Sequence, residues 1–256
     1  MPTYRMDLAY DGTDFHGYAR QDNVRTVQGD LETALFRRTG EIKTVVAGRT
    51  DRGVHASDQV VSFSVDEPLD VDALQRSLNR QLAPEVAVYS IVEVPNDFHA
   101  RFSATGRRYR YRIWNAPVLD PLAARTAWHV ADPLDVPAMD LAVGDLVGVH
   151  DFASFCRRHQ GRSTMRELRE ATWERSGDVV ELSIAANAFC HQMVRSIVAI
   201  SVEVGTGAFE PSDVREILET RDRAVAKGCA PPWGLTLTAV EYDAANPGFS
   251  TSHMAP

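Results

Sequence analysis

The order β-α-β-β-α-β, which can be read twice along the chain, most limits what this protein can fold into. Strands are predicted from alternating apolar residues, and helices from apolar residues at helical spacing that follow a capping residue. In the first half the predicted strands lie at residues 4–10, 44–47, 59–65 and 86–94, and the helices begin at Thr26 and at Asp70 or Asp72. In the second half the predicted strands lie at 109–114, 169–175, 179–185 and 235–242, and the helices at 136–147, 191–204 and 212–220.

Each half has the split βαβ pattern of ferredoxin-like domains. Two such halves can join into one long, mostly antiparallel sheet with helices on one face, so we predict an α+β fold of this kind. With 256 residues, 44% of them hydrophobic, the chain is long enough for this core. We place the N-terminal domain at residues 1–103 and the C-terminal domain at 104–256.

The stretch GRTDRGVHA, from Gly48 to Ala56, places one carboxylate between two arginines in a turn bounded by glycines. Glycine allows the backbone angles that a tight turn needs. The flanking arginines favour the ionised form of Asp51, and an ionised carboxylate can act as a nucleophile or a base. The nine residues alone are equally typical of an ordinary turn in which Asp51 bonds its own backbone.

Positive charge is unevenly distributed. The net charge of −8 argues against a polyanionic partner. Two acid-poor arginine clusters nevertheless favour a nucleic-acid surface over a solvated charged face, because arginine binds phosphate and stacks on bases. The clusters comprise Arg101, Arg107, Arg108, Arg110 and Arg112, interleaved with Tyr109 and Tyr111, and then Arg157, Arg158, Arg162, Arg166 and Arg169.

The sequence contains no CxxC or HExxH spacing and no long apolar run. We therefore expect reduced thiols in a cytoplasmic protein, with no metal site and no membrane span. The beginning of the chain also lacks the basic and apolar regions of a signal peptide. The three cysteines are Cys156, Cys190 and Cys229.

A series of short motifs resembles the TruA type of tRNA pseudouridine synthase, in that family's order and over nearly the whole chain. The series begins with Tyr10-Asp11-Gly12, Gly48-Arg49-Thr50-Asp51 and Phe98-His99-Ala100-Arg101. It continues with Arg108-Tyr109-Arg110-Tyr111, His150-Asp151-Phe152, Ala186-Asn187-Ala188-Phe189, Met193-Val194-Arg195 and Gly234-Leu235.

The resemblance implies the pseudouridine synthase fold and an isomerase that detaches a uracil from its ribose, rotates it and rejoins it through C5. It implies tRNA as the partner, with uridines 38, 39 and 40 of the anticodon stem-loop as targets. It also implies a homodimer that needs no cofactor, in which the C-terminal domain completes the RNA cleft.

The resemblance also assigns roles to residues. Asp51 matches the catalytic aspartate, with Arg49 and Arg195 associated with it, and Tyr109 matches the active-site tyrosine that packs on the uracil. Leu235 matches an apolar residue against the base, although Tyr109 and Leu235 would also fit as core residues. The full set of expected substrate-binding residues is Tyr109, Leu235, Arg101, Arg107, Arg108 and Arg158.

Three routes stay open for Asp51: attack on the sugar C1′, addition to uracil C6, or abstraction of a sugar proton. Two other functions are also considered. A non-catalytic RNA-binding module would not need Asp51. A uridine-modifying enzyme with a different RNA target would differ only in its loops. The chain departs from the family pattern at Ala19, where glutamine is common, at Cys190, where an aliphatic or aromatic residue is common, and at Arg52, where a small residue is common.

Overall fold

The computed structural model describes residues 1–157, 161, 163–226 and 228–243. These residues form five helices and the ten strands of a long, mostly antiparallel sheet, which confirms the predicted α+β class. The strands are β1 (Thr3–Tyr10), β2 (Val45–Val46), β3 (His55–Ser64), β4 (Val86–Val94), β5 (Ala104–Trp114), β6 (Trp128–His129), β7 (Gly148–Asp151), β8 (Met165–Ser176), β9 (Val179–Ala186) and β10 (Leu235–Tyr242). The helices are α1 (Val27–Thr39), α2 (Val71–Leu82), α3 (Val136–Gly144), α4 (Met193–Gly205) and α5 (Pro211–Thr220).

The described residues divide into two compact units. The first contains Met1–Arg107 and the strand residues from Leu237 onward, and the second contains Arg108–Thr236. The predicted domain boundary between residues 103 and 104 stays a prediction. Within the described ranges, none of the helices has both the length and the apolar character needed to cross a membrane.

In the first unit the strand order is β4-β1-β3-β10. β1 is antiparallel to both neighbours in the sheet, with Met6 opposite Val61 of β3 and Ile91 of β4. The even-numbered residues of β1 are buried, and the hydroxyl of Tyr4 accepts a hydrogen bond from the Leu69 backbone N–H, just before α2 (3.0 Å). One face of β1 therefore belongs to the core of this unit.

Both helices of the first unit begin where the sequence predicts. The Thr26 side chain accepts a bond from Gly29 N at the start of α1, and the Asp70 side chain accepts one from Ala73 N at the start of α2. Such caps satisfy backbone donors that have no partner inside the helix. Gly40 ends α1 with a φ of 72°, a conformation that favours glycine.

In the second unit the strand order is β5-β9-β8-β7, and β6 adds to β5 in parallel. β8 and β9 form the predicted hairpin, in which Ser176 lies opposite Val179 and Gly177 has a φ of +59°. α4 is buried around most of its circumference, as its nearly uninterrupted apolar sequence indicates. Two short strands, β6 and β7, were not predicted, and β5 begins five residues earlier than expected, at Ala104.

Candidate active site

Asp51 lies in the turn that joins β2 to β3 in the first unit. Thr50 is buried, Asp51 is half-buried, and Arg49 and Arg52 are exposed. The backbone O of Asp51 accepts a bond from Val54 N at 3.1 Å. The turn therefore buries Thr50 and leaves Asp51 partly exposed.

The preceding segment, residues 12–18, packs closely on this turn. A Cβ on Gly12 would lie 2.0 Å from the backbone O of Val54, so no larger residue fits there without displacement. Gly17 has a φ of +93° and lies against the backbone O of Thr50, which also accepts a bond from Tyr18 N at 3.1 Å. Glycine thus permits a close backbone contact that fixes the turn from one side.

A buried chain of hydrogen bonds holds the turn from the protein interior. Gln59, which has no exposed surface, donates from Nε2 to the backbone O of Gly48 at 2.8 Å and to Tyr10 Oη at 3.2 Å. Tyr10 Oη lies 2.8 Å from Thr50 Oγ1, and because it already accepts from Gln59, its own proton is available to Thr50. Burial raises the pKa of Tyr10 to about 12, so this hydroxyl stays neutral.

His55 has a structural role beside the turn. Its Nδ1 accepts a hydrogen bond from Gly12 N at 3.0 Å and lies 3.2 Å from Asp11 Oδ1. That lone pair is therefore occupied by a backbone donor. Across the described ranges, no group of three or more His, Cys, Asp or Glu side chains is placed to hold a metal ion.

Two predicted arginines of the first unit have different surroundings. Arg107 donates from Nη2 to the backbone O of Ala47, just before the turn, and to the backbone O of Arg101, both at 2.9 Å. The Arg101 side chain is exposed and lies 5.6 Å from the ring centroid of Phe102. Phe102 is 77% exposed and stacks on His99, so an arginine and an aromatic ring share an exposed surface.

Tyr109 and Tyr111 face the same side of β5 in the second unit but have different partners. The Tyr109 ring packs edge-to-face on Phe189 with centroids 5.2 Å apart. Tyr111 is fully buried and donates to the backbone O of Pro231 at 2.8 Å. Burial also raises the pKa of Tyr111 above its ordinary value. Tyr111 therefore has the environment of a packing residue.

Arg195 is bonded to Ala230 in the second unit, five residues before Leu235, where β10 begins. Arg195, in the first turn of α4, donates from Nε to the backbone O of Ala230 at 2.7 Å, and Ala230 N donates back to Arg195 O at 2.9 Å. A Cβ on Gly234 would lie 2.6 Å from Tyr111 Cζ, so glycine is needed immediately before the buried Leu235.

The arginines of β5 have no acidic neighbours in the sequence, but the fold places glutamates of other strands beside them. Arg108 Nη1 lies 2.6 Å from a carboxylate oxygen of Glu170 in β8, and Arg112 Nε lies 2.7 Å from one of Glu181 in β9. Both pairs are partly exposed, and surface pairs of this kind contribute little to stability. Arg158 lies outside the described residues, and the role of these arginines in RNA binding stays a prediction.

Sequence reasoning did not identify Gln59, Tyr10 or Phe189 as parts of the site. Tyr10 and Phe189 occur in the motifs that carry the resemblance, so a signal for them was present. For Gln59 the only signal was a polar residue beside an apolar strand run, Val60-Val61. Its partners lie in β1 and in the turn, and no local pattern reveals them.

Comparison with known proteins identifies the family to which the sequence is similar. A family model described as tRNA pseudouridine synthase matches residues 8–103 and 142–243, which include the Asp51 turn, Arg195 and Leu235. The tRNA pseudouridine synthase A of Leifsonia xyli subsp. xyli is 45% identical over 263 residues, covering 93% of this chain and 91% of its own length.

Two further relatives have the same name. The tRNA pseudouridine synthase A of Frankia casuarinae is 45% identical over 93% of this chain and 88% of its own length. That of Brevibacillus brevis is 44% identical over 94% of this chain and all of its own length. On the strength of this family match and of identity at that level over nearly full length, the chain belongs to the tRNA pseudouridine synthase family.

Proposed function

We propose that this protein isomerises uridine to pseudouridine at positions 38, 39 and 40 of the tRNA anticodon stem-loop, with Asp51 as the catalytic carboxylate. The observation that carries the proposal is the Asp51 turn, which is held by residues 12–18 on one side and by Gln59 and Tyr10 on the other. A carboxylate on an immobilised backbone suits a reaction that needs a fixed nucleophile or base.

The reaction conserves atoms and oxidation state. The bond from the sugar C1′ to uracil N1 breaks and a bond from C1′ to C5 forms. The hydrogen on C5 leaves as a proton, and N1 gains a proton. No electron acceptor or donor is required. Asp51 can attack C1′, add to C6 or remove a sugar proton, and each route requires the uridine to leave its stack, at a cost of about a few kcal/mol.

Further roles are proposed for residues of both units. Arg49 is exposed two residues before Asp51 and would help hold the flipped nucleotide. In the second unit, Tyr109 would pack on the uracil and assist a late proton transfer, Leu235 would contact the base, and Arg195 would pair with the catalytic carboxylate. These assignments rest on the family resemblance and on the local environments of the side chains.

tRNA binding is proposed to depend on exposed arginines. Arg101 beside the exposed Phe102 offers phosphate contacts and stacking together. Arg107, Arg108 and Arg158 are proposed as further phosphate contacts. We also propose that the protein acts as a cytoplasmic homodimer, as the family resemblance implies, and light scattering after size-exclusion chromatography would measure its oligomeric state.

The test is release of tritium from tRNA labelled at uridine C5, comparing the wild type with Asp51→Asn. Isomerisation must expel the C5 hydrogen, whereas binding and base flipping need not. We expect release by the wild type, none by Asp51→Asn, and a tRNA Kd that changes by less than about threefold, since asparagine preserves the shape of the side chain. Full activity of Asp51→Asn would remove Asp51 from the chemistry.

The same assay separates the two other functions. A non-catalytic RNA-binding module would bind tRNA without releasing tritium. An enzyme with another RNA target would release tritium from total RNA but not from a tRNA labelled only at uridines 38, 39 and 40. Replacing those uridines with cytidine should abolish release if the proposed positions are correct.

A further inference from the structure

Gln59, in β3, links both β1 and β3 to the turn that carries Asp51. Its amide donates both protons, one to the backbone O of Gly48 and one to the hydroxyl of Tyr10. Tyr10 in turn bonds Thr50, the residue directly before Asp51. One buried side chain therefore contacts, directly or through Tyr10, both residues that flank Arg49.

A strand irregularity sets up this arrangement. In the pairing of β1 with β3, Leu8 lies opposite Gln59 and Tyr10 lies opposite Ala56. β3 thus advances by three residues while β1 advances by two, which is a β-bulge directly after the turn. Bulges re-aim side chains, and this one lies where Gln59 must reach Tyr10 and Gly48.

We propose that Gln59 is a positioning residue: its two hydrogen bonds hold the Gly48–Asp51 backbone in the geometry in which the Asp51 carboxylate reacts. This inference rests on the proposed function of Asp51. Gln59 itself touches no substrate atom. Its effect should be seen in the rate of the chemical step rather than in tRNA affinity, since small displacements of a reacting group are costly in rate.

The test compares Gln59→Met with Ser62→Ala. Methionine is similar in length but removes both donors. Ser62 lies on the same strand and is also buried. It accepts a hydrogen bond from Ala100 N at 3.1 Å, away from the turn. Both changes remove buried hydrogen bonds, but only the first removes bonds to the turn.

We expect Gln59→Met to reduce the single-turnover rate of tritium release about 10- to 100-fold while the tRNA Kd changes by less than about threefold. Tyr10→Phe should also reduce this rate. In the double variant the fold-reduction should be smaller than the product of the two single fold-reductions, because both residues belong to one hydrogen-bond chain. Ser62→Ala should lower the melting temperature but leave the rate within about twofold of the wild type.

A second readout does not depend on activity. Hydrogen–deuterium exchange at the amides of residues 48–54 should be faster in Gln59→Met than in Ser62→Ala. An unchanged rate in Gln59→Met, or an equal loss in both variants, would overturn the positioning role. If the wild type released no tritium, the proposed function would be wrong. The exchange measurement would still test the positioning role: unchanged exchange in Gln59→Met would show that Gln59 does not stabilise the turn.

A separate observation concerns two cysteines that are distant in sequence but adjacent in the second unit. Cys156 follows the 3₁₀ turn Phe152–Phe155, and Cys190 precedes α4. The residues directly after them are joined by a backbone bond from Arg157 N to His191 O at 3.0 Å. This bond brings the two thiols close enough for each to change the pKa of the other, and Cys190 Sγ lies 4.0 Å from the backbone O of Thr164.

The two thiols differ in reactivity. Cys156 is buried, whereas Cys190 is partly exposed. The interaction with Cys156 lowers the pKa of the Cys190 thiol, whereas the same interaction together with burial raises the pKa of the Cys156 thiol. Cys190 is therefore the thiol that ionises and meets an oxidant first.

We propose that Cys156 and Cys190 are a site of reversible oxidation by peroxides. The Cys190 thiolate attacks the peroxide O–O bond and becomes a sulfenic acid, and the first water leaves. The Cys156 sulfur then displaces the second water and forms a disulfide. The two thiols lose two electrons, the peroxide gains them, and a dithiol reductant reverses the change.

The test treats the folded protein with hydrogen peroxide, then denatures it and counts the free thiols with a maleimide reagent. An untreated sample is counted in the same way. The wild type should change from three reactive thiols to one, and dithiothreitol should restore all three. Cys229→Ser, the matched control, should change from two to none. Cys156→Ser should form no intramolecular disulfide. Retention of all three thiols in the wild type, or a disulfide that includes Cys229, would overturn the proposal.

Discussion

At the scale of single residues, Tyr109 and Tyr111 show how one strand face can contain a candidate catalytic group and a packing group. Both are buried, yet Tyr111 has a backbone acceptor in Pro231, and the Tyr109 ring packs on Phe189. Alternation along β5 predicted that they share a face. It could not show that the Tyr111 hydroxyl bonds the backbone of Pro231, because Pro231 is far away in sequence.

Tyr109→Phe should therefore separate stacking from proton transfer. The ring contact with Phe189 is preserved, so we expect the tRNA Kd to change by less than about threefold. Loss of an acid–base hydroxyl should slow tritium release by on the order of 10²-fold. Tyr111→Phe should instead lower stability by about 1 kcal/mol and leave the rate unchanged. A total loss of tRNA binding by Tyr109→Phe would contradict the stacking role.

Asp58 provides a prediction about pH. It is half-buried on β3 near Arg5 and Asp7, and its pKa is raised to about 6, first by desolvation and then by the charge of Asp7. A carboxyl with a raised pKa binds more protons in the folded than in the unfolded chain. Its stabilising contribution is complete below its ordinary pKa of 3.8 and is lost as the pH rises through about 6.

Asp58→Asn should consequently raise the melting temperature more at about pH 7.5 than at about pH 4.5, because asparagine keeps an acceptor for Val240 without a charge. Differential scanning fluorimetry at the two pH values measures this difference. Asp66→Asn, a change at an exposed carboxylate, serves as the control. Equal shifts for Asp58→Asn at both pH values would contradict the assignment.

At the scale of elements, features with local causes were predictable. The caps Thr26 and Asp70, the strand at Val86–Val94 and the strand at Leu235–Tyr242 follow from residue type and periodicity. The short strands β6 and β7 depend on their neighbours in the sheet, so no periodic pattern identifies them. α3 ends at Gly144 rather than at residue 147, because glycine is a poor helix former.

The Asp51 turn also has features that the sequence predicted and features that it could not. Its glycines predicted a turn, but the contact of Gly12 with Val54 joins segments that are far apart in sequence. The glutamates that pair with Arg108 and Arg112 likewise come from other strands, so an acid-free stretch of sequence is not an acid-free surface. Long-range packing, rather than residue type, decided these features.

Gly12→Ala tests the packing of residues 12–18 on the turn. A methyl group would lie 2.0 Å from the Val54 carbonyl, which is backbone and cannot easily move. We expect a loss of about 1–3 kcal/mol in the free energy of unfolding together with loss of tritium release. Gly144→Ala is the matched control: a Cβ there would meet no atom within 4 Å outside its own helix backbone and chain neighbours, so the free energy of unfolding should rise by up to about 1 kcal/mol. Urea denaturation measures both changes, and a stable, active Gly12→Ala would contradict this contact.

At the scale of the whole molecule, the charge balance conflicts with the proposed substrate. The chain has 27 basic and 35 acidic residues, a net charge of −8. A polyanion is therefore repelled on average, and affinity must come from local arginine–phosphate contacts. Several arginines of β5 already have carboxylate partners in the second unit. Exposed arginines such as Arg101 consequently become the better probes of tRNA binding.

Arg101→Ala should weaken tRNA binding and reduce its salt dependence. Each phosphate contact releases counterions, so removing one contact should reduce the slope of log K against log salt by about 0.7–0.9. Arg38→Ala, at an exposed position in the last turn of α1, should change neither quantity. Filter binding between about 50 and 200 mM salt measures the slope for both variants.

If Arg101→Ala lowered the affinity with an unchanged slope, Arg101 would act through its packing on Phe102 rather than through a phosphate. An unchanged affinity would place this surface outside the tRNA footprint.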